Sequence, residues 1–400
     1  MATIPIQDRA AVPRRPAGMA LFSAGFRPFF LLAALWSAIA VPVWLCVYTG
    51  EVVLPSGLAP TVWHVHEMIF GFAFATIAGF LLTAIPNWTG RLPLKGAPLA
   101  VLAGLWIAGR IAVLFSGATG PLAAAVVDLA FPVAFVAVIA RELIAGRNWR
   151  NLPMLAALSL LLGGSACVHL EALGLAHTAA LGNRLGMATV LMLIALVGGR
   201  IVPSFTRNWL AKAHPGGALP AQAGRVDMAA LLVTVAGLAG WVAAPDSTAA
   251  PWLALAAGFA VTLRLSRWCG LATLREPLVF ILHVGYGWLG LGLLLLGVNG
   301  LHPLLPATAA LHALTAGAIG TMTLAVMTRA TLGHSGRALA AGRGTLAIYG
   351  LVSLAALFRL AAPLAGAQVL MLTWVAGAAW SAAFGLFALL YGTALLKAPK

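Results

Sequence analysis

The sequence predicts an all-α, polytopic membrane protein with about twelve transmembrane helices. Three observations carry that prediction. Of 400 residues, 62% are hydrophobic and only 8% are charged, whereas a soluble domain is about half apolar and about a quarter charged. The mean hydropathy is +1.00, which also excludes a disordered chain, since so apolar a composition does not stay solvated. Finally, the chain divides into apolar stretches of about 20 residues, the length that crosses a bilayer. They cover 28–48, 64–86, 98–115, 120–141, 152–174, 184–205, 227–243, 249–268, 277–298, 307–329, 345–363 and 368–394, separated by short segments rich in Pro, Gly and Arg. The longest connection, 206–226, leaves no room for a soluble domain. The organisation expected is a tail, 1–20, followed by a single twelve-helix transmembrane domain, 21–400. The tail is polar and basic and lacks the apolar core and cleavage site of a signal peptide.

The formal net charge of +15 comes from 24 Lys+Arg against 9 Asp+Glu. In a soluble protein such an excess suggests nucleic acid. Here position decides otherwise. Of the 24 cations, 21 fall in the tail, in alternate connections or at the C-terminus, and only Arg110, Arg184 and Arg359 lie toward the other side. The positive-inside rule then places both termini in the cytoplasm, with no nucleic acid among the partners. Three cysteines with no CxxC pair offer neither a disulfide framework nor a zinc signature.

Segments 2, 6 and 10 share a design. Segment 2 opens with Trp63-His64-Val65-His66-Glu67-Met68 and closes with Asn87-Trp88-Thr89-Gly90-Arg91. Segment 6 opens at Asn183-Arg184 and closes with Gly198-Gly199-Arg200 before Thr206-Arg207-Asn208-Trp209. Segment 10 runs from His312 to Arg329, with His334 and Arg337 beyond it, and His66 to Arg91 and His312 to Arg337 are both 25 residues. A four-helix unit repeated three times would produce this pattern.

Ionisable groups inside a bilayer are costly and are functional candidates by default. His64, His66, His169 and His312 all fall in the outer part of the membrane, while His283 sits nearer the inner side. Imidazoles gathered at one depth suit iron or copper, and axial histidine is the usual haem attachment. His64 and His66 point about 200° apart on a regular helix and cannot share one metal. Either the first turn is irregular, or the two serve different centres, one pairing with His312 across a haem. Alternatively, one of the pair simply hydrogen-bonds Glu67 or a backbone carbonyl. Cys167 and His169 diverge by the same geometry. His283 and Tyr286 form an i, i+3 pair, read as a helix–helix hydrogen bond or a redox tyrosine, and Asp128 as a proton relay or a structural hydrogen bond. Arg200, behind two glycines, is a candidate buried cation; with Arg329 it would hold haem propionates, a quinone headgroup or phosphate. Snorkelling arginines are the plainer reading of both.

These residues resemble the NnrS family. The likeness runs through Leu21-Phe22-Ser23-Ala24-Gly25-Phe26-Arg27-Pro28-Phe29-Phe30, Trp63 to Met68, Gly79 to Thr83, Asn87 to Gly90, Asn183 to Met187, Gly199 to Pro203, and His312-Ala313-Leu314-Thr315 on to Arg329 to His334. It implies a multi-pass protein of the bacterial inner membrane, containing haem (b-type) and copper. The family is tied to nitric-oxide metabolism and resistance to nitrosative stress. The histidines within matching blocks are His64, His66, His312 and His334; His169 and His283 rest on depth. At fold level the chain also resembles subunit I of haem-copper oxidases, which has twelve helices in three arcs and a low-spin haem between its second and tenth. It departs where the oxidases carry copper histidines on helices 6 and 7.

The expected function is therefore binding or redox processing of nitric oxide, or a related small molecule, at a haem or metal centre near the periplasmic side. A quinol or cytochrome would be the electron donor. The alternative is a transporter or channel for a metal ion or small molecule, with histidines as transient sites. A nitric-oxide reductase proper is disfavoured by the scarcity of acids beside the histidines.

Overall fold

The computed structural model describes residues 20–397. All of the expected tail except Ala20 lies outside them, as do Arg9, Arg14, Arg15 and Lys400. The described residues are helical, with no strand among them, and twelve helices are long and apolar enough to cross a membrane. They are α1 (Phe26–Tyr48), α2 (Pro60–Thr89), α3 (Ala97–Leu114), α4 (Pro121–Ala145), α5 (Trp149–Ala172), α6 (Ala179–Ala213), α7 (Arg225–Ala243), α8 (Ala249–Ser266), α9 (Pro277–Leu301), α10 (Ala307–His334), α11 (Arg343–Leu364) and α12 (Gly366–Leu396). The protein is thus an all-helical, multi-pass membrane protein.

Two ends differ from expectation. Helix α6 continues through Pro203 and the polar run Thr206-Arg207-Asn208-Trp209 to Ala213, which shortens the connection expected at 206–226. A helix needs internal hydrogen bonds rather than an apolar surroundings once it leaves the bilayer, and the Thr206 hydroxyl adds one to the Val202 carbonyl at 2.8 Å. The first helix begins before Arg27, which is buried inside it rather than flanking it. The Arg27 guanidinium donates to the carbonyls of Ala394 and Leu395 at 3.1 Å and of Lys397 at 2.6 Å. These carbonyls lack helical partners at the end of α12, where the helix dipole also favours a cation. Helix α1 accordingly packs along α12, joining the two ends of the bundle.

Burial separates inner from outer helices. The apolar windows of α2, α6, α9 and α10 are 72%, 67%, 67% and 72% buried, against 28–44% in the other eight. Within α2, α6 and α10 the backbone widens into π-helical segments, at Glu67–Ala73, Ile194–Gly198 and Ala313–Gly320, the three found among the described residues. Such segments shift backbone carbonyls out of their regular bonds, and side chains from neighbouring helices collect them. The Trp106 indole donates to the Gly71 carbonyl at 3.1 Å, and Arg264 donates to the Ala195 carbonyl at 2.8 Å.

Arg264 also corrects the expectation for Arg200. Gly199 does admit an arginine, but it is Arg264, reaching in from α8, while Gly198 faces Tyr286 and Met322 and Arg200 is exposed. Arg264 is buried and paired with Asp227 at 2.9 Å, and its guanidinium lies over Trp268. A Cβ at position 199 would lie 2.2 Å from that guanidinium. Breaking a buried pair costs about 3–5 kcal/mol, so Gly199→Ala should lower the thermal midpoint of the purified protein sharply. Gly163→Ala, which meets open space, should not. Equal midpoints would refute this placement of Arg264.

Candidate metal centre

Four helices bring six polar side chains together at one end of the bundle. His66 and Glu67 stand where α2 passes from α to π geometry. Arg110 comes from the last turns of α3 and Asp128 from the second turn and beyond of α4. A short connection folds these two helices antiparallel, setting cation and carboxylate opposite each other. Ser165 and His169 lie four apart on α5 and so share one face.

The geometry centres on Asp128. Its Oδ2 lies 2.8 Å from His169 Nε2 and 3.3 Å from His66 Nε2, and the Ser165 hydroxyl donates to it at 3.4 Å. Its Oδ1 accepts from the Arg110 guanidinium. The other side of that guanidinium donates to both Glu67 oxygens at 2.8 Å. Glu67 in turn faces His66 Nδ1 at 3.1 Å. All of these except Ser165 are ionisable, and all six are buried. Gly71 makes the convergence fit, because a Cβ there would lie 2.8 Å from Arg110 and 3.1 Å from Glu67.

Two physical facts point to a cation among these groups. First, both His66 nitrogens face carboxylates, and a neutral imidazole has only one N–H to donate. His66 carries two protons, or accepts at Nε2 from the Ser165 hydroxyl 3.4 Å away, or shares a cation there with Asp128. Second, two carboxylates oppose one guanidinium, so the cluster bears a net negative charge unless something positive joins it. A buried uncompensated charge is expensive. The ligating atoms of His66, Asp128 and His169 all lie within 4.8 Å of one another, the one such group of three among the described residues. Two imidazoles and a carboxylate suit iron or copper. Glu67 behind His66 and Arg110 behind Asp128 are the outer partners that orient such ligands.

The remaining candidates lie elsewhere. His64 faces away from His66 and stacks on Trp44 of α1, with ring centroids 4.6 Å apart. His312 and Arg359 are near enough to act on His64 electrostatically. His312 Nδ1 donates to the Thr308 carbonyl at 2.6 Å, leaving its Nε2 open, and His64 Nδ1 is buried without a partner. His283 is apart from the other histidines, bonded to the Thr206 hydroxyl at 2.8 Å. Tyr286 does not join it but accepts from Arg264 at 3.1 Å. Arg329 lies over the Phe205 ring; 17 residues along α10 from His312, it is roughly 25 Å away. It is therefore too distant to hold the propionates of a haem on His312, and His334 is farther still. Cys167 packs against Gly182, away from His169, and Glu171 accepts from the Ala179 amide at the start of α6 at 2.8 Å.

Sequence reasoning overlooked Arg110 and Ser165, and it judged acids scarce beside the histidines where the fold supplies Glu67 and Asp128. An intramembrane arginine and aspartate on consecutive segments were the available signal, since neither charge is tolerable alone.

The fold and this centre define a multi-pass membrane protein with a buried group able to hold a metal ion. Residues 20–398 match the family described as NnrS protein. The chain belongs to the NnrS family. No curated protein matches it closely enough to count as a relative.

Proposed function

We propose that this is a bacterial inner-membrane protein of the nitric-oxide response that binds or redox-processes nitric oxide at a metal centre near the periplasmic side. Both termini would be cytoplasmic, and one twelve-helix unit would form the whole membrane domain. The observation that carries the reading is the convergence of His66, Asp128 and His169 around a place that needs a positive charge. Two histidines would be ligands through Nε2, Asp128 the third ligand, and Glu67 would hold the proton on His66 Nδ1. The π segments of α2, α6 and α10 support three four-helix repeats. Membership of the NnrS family supports the nitric-oxide role.

A haem would be held by His64 and His312. The open Nε2 of His312 and the unpartnered His64 Nδ1 fit that group, with Arg359 the cation at that end. Haem would supply an iron able to bind nitric oxide and exchange electrons, with a quinol or cytochrome as donor; copper would occupy the His66–Asp128–His169 group. Arg200 and Arg329 would serve lipid headgroups instead.

Metal and pyridine-haemochrome analysis of protein purified with iron, copper and haem available tests both sites. The expected result is iron and copper, each near one per chain, and a Soret band lost in His312→Ala. A colourless, metal-free protein refutes the reading. Metal uptake into proteoliposomes without bound haem would instead make the protein a transporter.

A further inference from the structure

An apolar cavity of about 80 Å³ lies between α2, α6 and α10, with α5 behind it. Ile77 and Phe80 of α2, Leu193 and Val197 of α6, and Met322 and Val326 of α10 form much of its wall. The side-chain hydroxyls in the lining are those of Thr76 and Thr323, and both already donate to their own helices, to the Phe72 carbonyl at 3.2 Å and the Gly320 carbonyl at 2.9 Å. A buried water needs two to four polar partners, and apolar cavities without them stay dry and take up apolar guests. No charged side chain lines the space, which excludes an ion or a charged headgroup.

The cavity has a structural setting. Ala73, on its wall, ends the π segment of α2; Ile194, Val197 and Gly198 belong to that of α6; Met322 follows that of α10 by two residues. Each widened turn carries an extra residue, and the cavity lies beside or just beyond these turns on all three helices. The space is also not sealed, since Ile77, Phe80, Val197 and Val326 are only half-buried. An apolar solute dissolved in the bilayer gains nothing from water and has a route in.

We infer that this cavity is a binding site for a small, uncharged, apolar gas molecule. Its volume of about 80 Å³ matches a guest of a few heavy atoms. That the natural guest is nitric oxide rests on the reading of the metal centre given above; that the cavity binds apolar gas does not.

Crystals of the full chain pressurised with xenon test the site. Xenon is expected in the cavity of the wild-type protein, absent from it in Val326→Phe, and still present in His169→Ala, which should lose only the metal. If Val326→Phe does not fold, Ile77→Phe fills the same space from the opposite wall. A wild-type cavity free of xenon, under pressure that puts xenon elsewhere in the crystal, overturns the inference. So does continuous density for a lipid or quinol tail filling the cavity. Xenon in the cavity with no metal at the centre would sustain the gas site while refuting the metal reading.

Discussion

Asp128→Ala is expected to leave little folded protein. Asp128 accepts from Arg110 and Ser165 and lies 2.8 Å from His169 Nε2. Its loss leaves the Arg110 guanidinium, 5% exposed, with Glu67 alone and with one whole side unpaired. Removing one partner of a buried pair costs about 3–5 kcal/mol, against a total stability of about 5–15 kcal/mol. The effect should be read as the yield of monodisperse protein extracted from membranes and as its thermal midpoint. Asp128→Asn separates structure from charge. It keeps the shape and an acceptor for Arg110, and leaves Glu67 and Arg110 balanced, so nothing in the cluster then calls for an added cation. That variant should fold and bind no metal at this centre. Wild-type yield and midpoint in Asp128→Ala would show that the buried network does not hold these helices together.

The second large effect concerns His169. Even partners outside the ligand set change metal affinity by about 10–100-fold, so losing a ligand should cost at least about 100-fold. His169→Ala should therefore purify without copper at this centre, and with its fold kept, because His169 bonds Asp128 alone at 2.8 Å and leaves the Arg110 pairs intact. His312→Ala should do the reverse and keep the metal, since His312 lies with His64 on the other side of α2. Full copper in His169→Ala would move the centre away from α5.

The architecture was legible because the bilayer imposes it. Twelve apolar stretches and the placement of cations need only the cost of exposing polar groups to lipid, and all twelve helices follow from them. The divergence of His64 and His66 was legible too, being a property of helical geometry. What the sequence did not carry was partnership between helices. Arg110 stood in the count of charges only as an outlier on the less basic side, and Asp128 as a lone acid; that they meet depends on how tightly α3 and α4 fold back. Arg264 reached one of the glycines expected to shelter Arg200, because close approach is open to any neighbour, not only to the next residue in the chain. The π segments, too, left no periodic trace, since a single extra residue in an apolar helix changes no hydropathy pattern.

The contact of Arg27 with α12 bears on how the protein is made. Synthesis delivers α1 first and α12 last, so the guanidinium of Arg27 waits for the carbonyls of Ala394, Leu395 and Lys397 through the insertion of ten intervening helices. Until then the seam between α1 and α12 stays open. Helix α12 is thus also the latch that closes the bundle against α1.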